Sequence, residues 1–286
     1  MKVIDIHLHG GFGICFDNIN QTKLEEFQAL AFEKEIEAFC PTLTGDTPQN
    51  LREKLKIIKD VKLRQNKKTS KIIGVNLEGT FLSPKKPGVQ NPNVFLKPTI
   101  ENFKKIADGI EDIVKIVVIA PETMDNYDLI NYLKSKNIKV HFGHTISSSI
   151  DKADGICHLY NAMEQLTHKK STLQSKALVD ENIYTELIAD TIHVNEDILK
   201  ITFKVRPKNK IILISDALPV ASSNLEYCIF CNKKVYKTGL DENGTLGGSI
   251  KLLPDIVQNL SDKKLLTKDE IELMAYKNIK NYLKID

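Results

Sequence analysis

A chain of 286 residues with 42% hydrophobic side chains can bury one large core or two small ones. Its 40 basic and 37 acidic residues leave a net charge of only +3 and are mixed along the sequence, so no basic face is set apart for nucleic acid or a membrane surface. No apolar run approaches the roughly 20 residues of a membrane span, no basic-then-apolar leader precedes the first strand-like segment, and five scattered cysteines suit reduced thiols; a cytoplasmic protein acting on a small molecule is expected.

The first predicted strand covers residues 3–9. Strict alternation there puts Asp5, His7 and His9 on one face and Ile4, Ile6 and Leu8 on the other, with both histidines pointing into a barrel mouth. Helical spacing follows in Leu24, Phe27, Ala31 and Phe32, then a strand at 39–43, then helical spacing again in Leu51, Leu55, Ile58 and Val61. Acidic residues near helix starts and lysines toward their ends suit the helix dipole. Further strands are predicted at 72–78, 116–120, 139–144, 155–160, 184–189 and 211–215, each followed by an amphipathic stretch. Residues 227–236 are expected to pair with a later segment as a hairpin, and helices are expected near 250–260 and 268–283. Cys228 and Cys231 form a lone CxxC, which without a second pair reads as hairpin packing sooner than as a zinc site.

Eight strands alternating with helices predict an α/β fold of the TIM-type (β/α)₈ barrel, with an open doubly wound sheet as the alternative. Without a repeat, low-complexity tract or linker, residues 1–286 read as one catalytic domain whose C-terminal helices begin near 250.

Active sites of such barrels assemble at the C-terminal ends of the strands. The third strand ends in Asn76-Leu77-Glu78-Gly79, the fifth in Gly143-His144, the sixth in Cys157-His158 and the eighth in Ser215-Asp216-Ala217. Five of the seven histidines (His7, His9, His144, His158 and His193) fall at or just past predicted strand ends. Convergence of His7, His9, Glu78, His144, His158 and Asp216 on one face predicts a metal site. His141, three residues before His144, faces away on a regular strand and reads as structural.

The ordered blocks Asp5-Ile-His-Leu-His-Gly-Gly11, Leu77-Glu-Gly-Thr-Phe81, Ala120-Pro-Glu122, Gly143-His-Thr145, His158-Leu-Tyr-Asn-Ala-Met163, Asp190-Thr-Ile-His-Val194, Ser215-Asp-Ala217 and Gly244-Thr-Leu-Gly-Gly-Ser249 resemble the N-acetylglucosamine-6-phosphate deacetylases of the amidohydrolase superfamily. The resemblance implies that Glu78, His144 and His158 hold a principal divalent metal ion and that His7 and His9 can hold a second. It implies that Asp216 is the catalytic carboxylate and that His193 contacts the acetyl carbonyl. Asn161, Ala162, Gly247 and Gly248 would contact the sugar phosphate. One or two ions per chain fit, and zinc, iron, manganese and cobalt suit this donor set alike.

A bare barrel without the family's small β-sandwich is expected, and the family's Glu-Gly-Pro-Phe, Gly-Ala-His and Asp-Gly-x-His read Glu78-Gly-Thr-Phe81, Gly88-Val-Gln90 and Asp190-Thr-Ile-His193. Relatives carry a His-Arg-Glu-Pro-Gly stretch whose arginine binds the phosphate, often across a dimer interface; here it reads His168-Lys-Lys-Ser-Thr172, leaving Lys169 as a point charge for the phosphate. The expected partners are therefore an amino-sugar substrate and, through that loop, a second copy of the chain. Another N-acetylated sugar on the same site and a non-catalytic sugar-binding relic are the alternatives. A cyclic amidase is disfavoured, because the fourth strand ends Ile119-Ala-Pro-Glu122 without the lysine that bridges two metals in such enzymes.

Overall fold

The computed structural model describes residues 1–285. Eight parallel strands, β1 (Val3–Leu8), β2 (Ile36–Leu43), β3 (Val75–Phe81), β4 (Val114–Ile119), β5 (Lys139–Phe142), β6 (Gly155–Ile156), β7 (Tyr184–Ile188) and β8 (Ile211–Ile214), are hydrogen-bonded neighbours in chain order. β8 meets β1 again through a bridge between Leu8 and Ala217 and through backbone bonds from Asp216 N–H to His7 C=O and from His9 N–H to Ala217 C=O, both 2.8 Å. The predicted barrel is therefore the observed one, closed at its C-terminal mouth.

Helices α1 (Gln21–Glu33), α2 (Pro48–Arg64), α3 (Ile100–Ala107), α4 (Asp128–Ser135), α5 (Leu173–Val179), α6 (Glu196–Val205) and α7 (Leu253–Asp262) surround the strands. Side chains start several of them: Asn20, Thr47, Thr99 and Asn195 cap α1, α2, α3 and α6, and Thr172 closes a capping box with Ser175 on α5. The expected dipole pattern holds for α3 and α6, whereas α1 has neither an acidic first turn nor a basic last turn. Phe32 also departs from expectation: it is 42% exposed, and Gln28 takes its place in the buried stripe, donating to the Ser70 carbonyl. No helix among the described residues is long and apolar enough to cross a membrane.

The alternation predicted for β1 is broken. Ile4 and Ile6 pack with Ala38, Cys40, Ile116, Ile188, Ile212 and Ile214 in the barrel interior, while Leu8 joins the outer layer against the helices. Between Asp5 and Leu8 the strand advances three residues while its β2 partner advances two, from Phe39 to Pro41. That β-bulge reverses the phase, so His7 and His9 face inward above two isoleucines that also face inward.

The segment 227–236 is itself the hairpin rather than one arm of it. β9 (Tyr227–Phe230) pairs with β10 (Lys233–Tyr236) across Cys231-Asn232, whose φ values of 51° and 62° fit a type I′ turn. Cys228 is buried, and all five cysteines are free thiols. The C-terminal helix runs through α8 (Lys268–Glu272), a π-helical turn (Leu273–Lys277) and α9 (Asn278–Leu283), which lays Ile279 and Tyr282 against the interior isoleucines as the barrel floor.

Candidate metal centre and active site

Residues that leave their strands at the barrel mouth converge on Glu78. Its Oε1 lies 2.8 Å from His158 Nε2, 3.1 Å from His144 Nε2 and 3.5 Å from His7 Nε2; its Oε2 lies 3.3 Å from His9 Nε2. Asp216 Oδ1 stands 3.2 Å from His9 Nε2 and 3.4 Å from His7 Nε2. Two candidate ligand sets result, Glu78–His144–His158 and His7–His9–Asp216, with Cys157 as a further donor near His7 and Glu78.

The backbone is bent to achieve this. His144, His158 and Asp216 all have left-handed φ, at 47°, 24° and 53°, which non-glycine residues adopt at a cost of about 1–3 kcal/mol each. Each residue lies two positions past the end of its strand, and at His144 and His158 the turn brings inward a side chain that continued pleating beyond the outer-layer Phe142 and Ile156 would not. Gly248 makes room beside Asp216: at its φ of 152° a Cβ would come 2.7 Å from the Asp216 carbonyl oxygen.

The donor chemistry fits a cation. His144 Nδ1 lies 2.8 Å from the Lys86 carbonyl, which can only accept, so in the neutral ring Nε2 carries the lone pair. That lone pair faces Glu78 Oε1 and, at 3.1 Å, His158 Nε2. His7 Nε2 and Asp216 Oδ1 are buried without hydrogen-bond partners. So many acceptors in close contact repel unless positive charge lies among them. The proton affinities agree. Burial pulls the His9 ring down, but the Asp216 and Glu78 carboxylates outweigh it and push it up to about 9. Burial disfavours the charged forms of Glu78 and Asp216, yet the surrounding histidines hold Glu78 well below and Asp216 below the usual carboxylate range.

The centre opens into a cavity of about 530 Å³. Asn161, Ala162, Gly247 and Gly248 line it, as does His193, whose Nδ1 is fixed at 2.8 Å by Asp190 Oδ2 while Nε2 is buried without a partner. Lys169 is exposed and lies outside the lining; Lys85 and Lys86 are the lysines that border the cavity. His7 lies beneath the floor of the centre, fully buried.

Several functional neighbours escaped the sequence reading. Gln90 donates to Glu78 Oε2 at 2.8 Å, and Phe230 of the hairpin packs on His9 with ring centroids 4.8 Å apart. Glu186 accepts from His7 Nδ1 at 3.0 Å. A lone glutamate in an apolar parallel strand was a readable signal, since an ionised group there requires a buried partner. His141 also differs from expectation: the strand ends at Phe142, and the ring turns inward below the centre, 3.1 Å from Glu186 Oε1.

No family model matches the chain. It is 31% identical over 261 residues to N-acetylglucosamine-6-phosphate deacetylase of Bacillus subtilis (strain 168), spanning 87% of this chain and 66% of that protein, just under two thirds of its length. It is 26% identical over 282 residues to N-acetylgalactosamine-6-phosphate deacetylase of Escherichia coli O157:H7, spanning 95% and 74%. Among solved structures, N-acetylglucosamine-6-phosphate deacetylase from Pasteurella multocida superimposes with a TM-score of 0.89 at 25% identity, covering all of this chain and 76% of that one. The Mycobacterium smegmatis deacetylase, solved with N-acetyl-D-glucosamine-6-phosphate, shares the fold at a TM-score of 0.89 and 22% identity, covering 99% and 77%.

Proposed function

We propose, from the similarity to N-acetylglucosamine-6-phosphate deacetylases, that the chain is a metal-dependent amidohydrolase that hydrolyses the acetamide of N-acetylglucosamine 6-phosphate to give glucosamine 6-phosphate and acetate. The observation that carries the reading is the convergence of Glu78, His144 and His158 with His7, His9 and Asp216 at the closed end of one cavity. The chain is taken as a single catalytic barrel domain, because the hairpin and the loop before α7 both contribute to that cavity.

Glu78, His144 and His158 would hold a divalent ion, and His7, His9 and Asp216 a second; zinc, iron, manganese and cobalt all suit the donors. Bound there, the ion would supply Lewis acidity and lower the pKa of water toward about 7. Asp216 would accept the proton of the attacking water at a carboxylate oxygen and return it to the amide nitrogen, which must leave as an amine because its anion is too basic to depart. His193 Nε2, oriented by Asp190, would meet the acetyl carbonyl where negative charge develops. Asn161, Ala162, Gly247 and Gly248 would seat the sugar. Lys85 and Lys86 would face the phosphate, whereas Lys169, outside the cavity of its own chain, would reach one only in a second copy.

The test is acetate release by ion-loaded protein from N-acetylglucosamine 6-phosphate and its unphosphorylated sugar. Turnover of the phosphorylated compound alone is expected; no release from either overturns the assignment. The similarity to an N-acetylgalactosamine-6-phosphate deacetylase supports a second reading, so that isomer belongs in the assay, and a higher kcat/KM for it would favour the galacto epimer.

A further inference from the structure

Beneath the centre, a line of buried polar side chains runs down the barrel axis to its floor, and the reaction above uses none of it except His7. Glu186, midway along β7, accepts from His7 Nδ1 through Oε2 at 3.0 Å and from the backbone N–H of His158 at 3.3 Å. Its Oε1 lies 3.1 Å from His141 Nδ1 on β5, a close polar contact outside the geometry of an aligned hydrogen bond. His141 Nε2 lies 2.7 Å from the hydroxyl of Tyr282 on α9, and Tyr282 is in turn wedged against the Tyr184 ring, with centroids 4.5 Å apart, below Lys139 Nζ at 4.8 Å. His7, Glu186 and His141 are each no more than 1% exposed, and Tyr282 is 4% exposed.

An ionised side chain in the middle of an apolar barrel destabilises the fold unless its partners hold it. Here the partners come from β1, β5 and α9, so the arrangement is built by the tertiary fold. Its effect on His7 is specific. The bond to Glu186 places the ring proton on Nδ1, which leaves the Nε2 lone pair facing Asp216 Oδ1 at 3.4 Å and Glu78 Oε1 at 3.5 Å. His144 is oriented separately, by the Lys86 carbonyl.

We propose that Glu186, His141 and Tyr282 form a positioning strut that fixes His7 as a ligand of a second divalent ion, distinct from the ion held by Glu78, His144 and His158. The inference rests on the metal-dependent reading above but not on the identity of the sugar. A carboxylate that receives the far N–H of a ligating histidine sets its tautomer and orientation, and losing it weakens metal affinity about 10–100-fold.

The experiment is a cobalt(II) titration of the full chain after ion removal, followed by visible absorbance and elemental analysis. Two equivalents should bind to the wild type. Glu186→Gln should leave the first within about twofold and weaken the second about 10–100-fold, and the unchanged first site doubles as proof that the barrel is folded. Tyr282→Phe removes one hydroxyl and should weaken the second ion several-fold; it carries the test if Glu186→Gln does not fold. Binding of a single equivalent by the wild type overturns the proposal, as does a second-ion affinity unchanged in whichever variant folds. If the second ion responds as expected while no N-acetyl sugar is hydrolysed, the strut stands and the substrate assignment falls.

Discussion

At the scale of single residues, the groups proposed to hold the principal ion are separate from the one proposed to move the proton, and substitution should show the difference. Asp216→Asn keeps the shape of the side chain and leaves Glu78, His144 and His158 untouched, so the principal ion should remain while kcat falls at least about 100-fold. Elemental analysis beside acetate release measures both, and a variant turning over at near wild-type rate would remove Asp216 from the mechanism. The two lysines at the cavity edge make a contrasting prediction. Lys86 is already paired with Glu164 at 3.0 Å, whereas Lys85 has no acidic partner among the described residues. Lys85→Ala should raise KM for the phosphorylated sugar about tenfold, the equivalent of roughly 1.4 kcal/mol, and leave kcat unchanged. Lys169→Ala should leave both parameters unchanged in a monomer; an increase in KM would place that lysine on a neighbouring subunit's substrate.

At the scale of elements, the strand ends place the clustered histidines and carboxylates and tolerate little extra volume. Gly143 directly follows β5 beside the end of β6, and a Cβ there would stand 2.5 Å from Cys157 Cβ. Gly143→Ala should cost about 1–3 kcal/mol of stability through overpacking and also loosen ion binding, because the pushed-apart residues are followed directly by His144 and His158. Denaturant midpoint and ion affinity should fall together; a lower midpoint with unchanged affinity would mean that the strain relaxes away from the centre. The same elements explain what could be read from the sequence. Eight apolar runs bounded by turns located every barrel strand, and the cluster of histidines and carboxylates past their ends followed from placing active sites at that mouth. Period-two reasoning could not see the bulge in β1, since an extra residue is a matter of pairing with Phe39 and Pro41 and leaves no mark in the composition of 3–9. The histidines were assigned inward correctly, but the isoleucines beside them were assigned to the wrong face. Glu186, His141 and Tyr282 meet from three distant segments, a juxtaposition that no local pattern encodes.

At the scale of the whole molecule, bound ions should stabilise the barrel by mass action, since the ligands are brought together only by folding. An ion at a thousandfold excess over its dissociation constant contributes about 4 kcal/mol, so chelation should lower Tm by on the order of 10 °C. Calorimetry with and without chelator checks this, and an unchanged Tm would mean that the native state holds no ion tightly. The seam between β1 and β8 adds a temporal consequence. His7, His9 and Asp216 lie on the two strands that meet last along the chain, and they are stitched by Asp216 N–H to His7 C=O and His9 N–H to Ala217 C=O, while the Asp5 carboxyl receives the Ser215 hydroxyl at 2.5 Å. During synthesis, β1 emerges some two hundred residues before its neighbour β8. A nascent chain can therefore gather Glu78, His144 and His158 early, but it cannot complete the His7–His9–Asp216 set until the final strand docks and the ring of strands becomes continuous.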